Sequence, residues 1–69
     1  MNSFIILLEH DDDAIKLEQL LTENDIGYET DVIGTEYLLY EFTINIENRK
    51  IVYLLLEYNN ITIVNFKST

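Results

Sequence analysis

Sixty-nine residues suffice for one domain with a small core, and an apolar fraction of 48% is too high for a disordered chain. Without cysteine, neither a disulfide nor a thiolate metal site can brace that core. A net charge of −9, with only four Lys and Arg, excludes a basic groove for nucleic-acid phosphates and argues against an anionic membrane surface.

The charge is lopsided. Residues 1–36 carry ten acids against Lys16 alone, whereas residues 37–69 balance Glu41, Glu47 and Glu57 against Arg49, Lys50 and Lys67. A surface built from the first half attracts a basic partner and speeds the encounter. No apolar run approaches the ~18 residues that span a bilayer. The opening run Phe4–Leu8 has no basic flank and no cleavage site, so it does not read as a signal peptide. The expectation is one cytoplasmic domain over residues 1–69, with no metal or cofactor.

Phe4–Leu8 is a short apolar run and predicts a buried strand. After Glu9-His10-Asp11-Asp12-Asp13, Ala14, Leu17, Leu20, Leu21 and Asn24 recur at helical spacing. Asp11 is the expected N-cap and Gly27 the expected C-cap or turn residue. Tyr28–Ile33 alternates as a half-buried strand, and Gly34-Thr35 suggests a tight hairpin. In the strand expected over 37–46, Leu38, Tyr40, Phe42, Ile44 and Ile46 share the core face.

Residues 47–60 fit two templates. Ile51–Leu56 suits a strand by propensity, while Ile51, Leu54, Leu55 and Tyr58 suit a helix stripe. An internal repeat favours the helix. A shift of 34 residues lays Leu17, Leu20 and Leu21 on Ile51, Leu54 and Leu55, and Tyr28, Thr30 and Val32 on Thr62, Val64 and Phe66. Residues 61–67 then form the last strand.

The order β-α-β-β-α-β predicts an α+β domain of ferredoxin-like type. Its four-stranded antiparallel sheet has the order 4-1-3-2, with both helices on one face. The pattern resembles small ACT-like and PII-like regulatory domains. That resemblance implies a dimer, paired through the open face or an edge strand, with a small effector at the interface. Phe4–Asp13 is also similar to the opening of a response-regulator receiver domain, where an acidic cluster binds magnesium. Receivers need a phospho-accepting Asp after the third strand, and this chain has no Asp beyond Asp31.

Catalytic constellations are missing from the sequence. The acidic cluster lacks the D-x-D-x-D-G spacing of a calcium loop and reads as favourable charge at a helix start. His10, the only histidine, has no motif that would supply a nucleophile or an orienting partner. Gly27 and Gly34 belong to no phosphate-binding loop. A non-enzymatic interaction protein is the expectation.

Two surfaces are candidates. Ile5, Leu7, Tyr37, Leu39, Ile61 and Ile63 are expected on the open sheet face, a patch large enough to serve as a homodimer or partner interface. Glu18, Glu23, Asp25, Glu29, Asp31 and Glu36 are expected on one acidic side, facing a basic protein surface. In that reading the protein acts as an inhibitor or nucleic-acid mimic. The alternative is the ACT-like effector-binding dimer.

Overall fold

The computed structural model describes residues 2–68. The chain runs β1 (Ser3–Leu8), α1 (Asp11–Glu23), β2 (Tyr28–Ile33), β3 (Leu39–Asn45), a 3₁₀ turn (Ile46–Asn48), α2 (Arg49–Tyr58) and β4 (Asn65–Ser68). The sheet order is β2-β3-β1-β4, which counted from the other edge is 4-1-3-2. Every neighbouring pair is antiparallel. Two split βαβ units therefore interlock: β3 lies between β1 and β2, and β1 between β3 and β4. This is the ferredoxin-like βαββαβ topology.

Alternation along the strands sets the core. Phe4, Ile6 and Leu8 of β1 pair with Ile44, Phe42 and Tyr40 of β3, on the helix side of the sheet. Ala14, Leu17 and Leu21 of α1 and Val52 and Leu56 of α2 close over them, joined by Ile26 and Ile61. Among the described residues no polar or charged side chain is buried.

Both helices end alike. Asn24 and Asn59 are C-caps, and Asp25 and Asn60 follow with φ of 55° and 54°. The N–H of Ile26 donates to the Leu21 carbonyl and that of Ile61 to the Leu56 carbonyl, at 2.9 and 3.1 Å. These are Schellman closures, in which a buried residue after the left-handed one packs onto the last turn. Gly27 lies beyond the closure and is not the cap, because Asp25 supplies the left-handed turn.

The helix starts also differ from expectation. His10 is the N-cap of α1, with no side-chain cap bond. Asp11 sits inside the first turn, so its carboxylate acts on the helix dipole and on Tyr40. The capping side chain belongs to Asn45, whose Oδ1 accepts from the Glu47 N–H at 2.9 Å.

The β2–β3 connection is longer than a two-residue hairpin. Ile33 pairs with Leu39, leaving residues 34–38 as the loop. Tyr37 is therefore a loop residue, 83% exposed, and not part of the open sheet face; Leu38 leaves the core face with it. Gly34 has φ +101°, and a Cβ there would collide with the Tyr37 carbonyl. Gly34→Ala should destabilise the domain by about 1–3 kcal/mol, read from urea midpoints. A neutral result would mean the loop refolds around the new methyl.

The last strand is shorter than predicted. Residues 61–64 form a connector whose N–H groups go elsewhere: Ile61 to Leu56, Thr62 to the Asp13 carboxylate at 3.3 Å, and Val64 to the Leu7 carbonyl at 2.8 Å. Ile61 is buried and Ile63 packs against the core, so neither lies on the open face. The helix closure at Asn60 turns the chain inward there and interrupts strand alternation.

Candidate functional site

With Tyr37, Ile61 and Ile63 placed elsewhere, the open sheet face keeps Ile5, Leu7 and Leu39 of the expected patch. Leu7 is buried, and Ile5 and Leu39 are half-buried. The face is a narrow apolar strip, not a broad exposed interface. Its cross-strand rows read Glu29–Thr43–Ile5–Lys67 and Asp31–Glu41–Leu7–Asn65, with Ile33 beside Leu39.

Those rows create a feature that composition alone does not reveal. Asp31 of β2 stands directly opposite Glu41 of β3 on the open side, with Glu29 two residues along the same face. Directly opposed like charges destabilise a sheet. No Lys or Arg forms an ion pair with a carboxylate among the described residues; the one close contact of that kind, His10 with Glu9 at 3.7 Å, is an ion pair only when the imidazole is protonated. Lys67 lies on the far edge strand, separated from Glu29 by β3 and β1.

The six acids predicted to form one side are all exposed. They do not share one plane. Glu29 and Asp31 face away from the helices, Glu18 and Glu23 lie on α1 in the opposite layer, Asp25 is in the α1 closure, and Glu36 is in the 34–38 loop. Glu41 joins Glu29 and Asp31, and only the hairpin register could have grouped it with them.

Around the α1 start, the Asp11 carboxylate accepts from the Tyr40 hydroxyl. That hydrogen bond, with desolvation and the negative charge of Asp11, raises the Tyr40 pKa above the ordinary tyrosine value. Asp13 is tied to Thr62. Two of the three adjacent aspartates thus hold the helix start to β3 and to the β4 connector. Among the described residues no cluster of three His, Asp or Glu side chains is arranged to hold a metal ion. No helix there is long and apolar enough to cross a membrane.

Exposed apolar side chains occur in two regions: Ile15, Val32, Tyr37 and Leu38 on α1, β2 and the 34–38 loop, and a second group on α2 and near β4. Ile51, Tyr53, Leu54 and Tyr58 are exposed along α2, and Val64 and Phe66 near the β4 edge. Tyr53 packs against Phe66 with ring centroids 4.9 Å apart and planes tilted by 58°, and meets Phe4 edge-on at 6.1 Å. Beside them an open apolar groove of about 260 Å³ is lined by Tyr53, Leu56, Ile61, Ile63 and Phe66, with Glu57 at its rim.

Both edge strands carry the same blocking device. The Asp31 carboxylate accepts from the Val32 N–H at 2.8 Å, and the Asn65 side chain from the Phe66 N–H at 2.9 Å. An edge N–H held by its own neighbour is withdrawn from pairing with another chain.

The structure defines the protein as a small α+β domain of ferredoxin-like topology. No family model and no curated protein matches the chain. This topology hosts many unrelated functions, so function has to be argued from the surfaces.

Proposed function

We propose that the domain is a non-enzymatic interaction module whose β2–β3 acidic face docks on a basic protein surface. The observation that carries this reading is the Asp31–Glu41 opposition with Glu29 beside it and no cation near. Such a pairing costs stability in the free protein, and a partner's Lys or Arg would relieve it. Glu36, Asp25, Glu18 and Glu23 extend the negative field around that edge and steer the encounter. Carboxylates spaced along a strand can stand in for the phosphates that a nucleic-acid-binding protein expects. An inhibitor acting by such mimicry fits this reading.

The test uses an oligolysine peptide as the basic probe. Its affinity should fall steeply between about 50 and 500 mM salt. The triple variant Glu29→Gln/Asp31→Asn/Glu41→Gln should lose most of the binding and melt at a higher temperature, because the repulsion is gone. Binding that ignores salt, or that survives the triple change, would remove the basis of the proposal.

A second reading is a regulatory dimer of the ACT-like kind, and the apolar groove beside α2 is what favours it. Its groove would take a small apolar or aromatic effector, and an effector of that kind should raise the melting temperature by mass action.

A further inference from the structure

We infer that α2 forms the interface of a homodimer, packing antiparallel against α2 of a second copy. The outer crest of α2 carries Lys50, Tyr53, Leu54 and Glu57, at the i, i+3, i+4, i+7 spacing of one helix face. All four are exposed; Lys50, Leu54 and Glu57 face away from the buried Val52, and Tyr53 flanks them on the β4 side, where its ring meets Phe66 and Phe4. The crest is apolar in the middle, positive at its N-terminal end and negative at its C-terminal end. Lys50 and Glu57 are about 10 Å apart, too far to pair with each other. Neither forms an ion pair among the described residues.

That pattern is self-complementary under a two-fold axis. Turned antiparallel, Lys50 meets Glu57 of the second copy, and Tyr53 meets Leu54, each contact occurring twice. The distribution of charge selects the same surface. All the net charge of −9 resides in residues 1–36, and residues 37–69 sum to zero. Two copies that meet through α2 keep Glu29, Asp31 and Glu41 apart on their outer sheet faces, whereas contact through the β2 side would bring those acids together. Strand pairing is disfavoured at both edges by the blocked N–H groups of Val32 and Phe66. The crest and its flanking Ile51 and Tyr58 form a small patch, so reversible association is expected.

Sedimentation equilibrium from micromolar to several hundred micromolar tests this. The wild-type protein should show a reversible monomer–dimer equilibrium across that range. Leu54→Glu should raise the dissociation constant about a hundredfold. Lys50→Glu or Glu57→Lys alone should raise it about tenfold or more. The double swap Lys50→Glu/Glu57→Lys should return it close to the starting value. None of these exposed positions should compromise folding, and the swap places each charge favourably on the helix dipole. Circular dichroism confirms that point. A protein that stays monomeric throughout, or a dimer that the charge swap does not weaken and restore, would overturn the inference.

Discussion

Val52→Asp should leave the domain unfolded at room temperature, whereas Ile51→Asp should fold with a stability change within about 1 kcal/mol. Val52 is 0% exposed among Leu17, Leu56 and the β1 and β3 side chains, while Ile51 is 41% exposed. A lone carboxylate at Val52 has no cation to meet, and burying it costs several kcal/mol. A domain of this length has a total stability of about 3–10 kcal/mol. The two neighbours therefore report the rotation of α2 about its axis. Urea and thermal melts by circular dichroism make the comparison. If Ile51→Asp is the more damaging, the helix is turned by one residue from the arrangement described here.

The second large effect belongs to the sheet. Phe42→Ala should cost about 3–5 kcal/mol and lower the melting temperature by about 15–30 °C. Phe42 is 1% exposed, lies opposite Ile6 on one side and Thr30 on the other, and stacks with Tyr28 at 5.7 Å. Phe66→Ala, at the sheet edge and partly exposed, should cost much less. Equal losses at the two positions would mean that the core does not centre on β3.

These two experiments also separate what was readable in the chain from what was not. The strand pattern was readable because side chains alternate with period two, so a repeat offset of 34 keeps inside residues inside. Phe4, Ile6 and Leu8, and Tyr40, Phe42 and Ile44, could be assigned a face without coordinates. The same offset survives at the edges, where Asp31 and Asn65 block equivalent N–H groups.

In the helices that offset is wrong by one. The equivalent pairs are Leu17 and Val52, Asn24 and Asn59, Asp25 and Asn60, and Ile26 and Ile61, all 35 apart. One residue rotates a helix by about 100°, which exchanges Ile51 and Leu54 for Val52 and Leu56 in the core. The sequence around α2 is apolar on several sides, so periodicity could not choose between the two stripes. Burial against the sheet chose. The stripe that periodicity favoured in part became the exposed surface from which the dimer is inferred.

The acidic site divides the same way. Composition determined that the first half would be exposed and negative, since ten acids against one lysine cannot be buried or neutralised internally. Which acids meet was decided by hairpin register. A two-residue turn at Gly34-Thr35 would have left Tyr37 and Leu38 in the strand. The five-residue loop pairs Ile33 with Leu39 and sets Asp31 against Glu41.

By itself, then, the sequence determined the class of fold, the element order, the inner face of β1 and β3, and the segregation of charge. Each of these follows from local periodicity or from counting. Tertiary structure alone decided the rotation of α2, the end of the β2–β3 loop, the inward turn of Ile61 and Ile63, and the grouping of Glu29, Asp31 and Glu41. Each of those turns on a one-residue choice between nearly equivalent local patterns, and packing and backbone pairing made the choice.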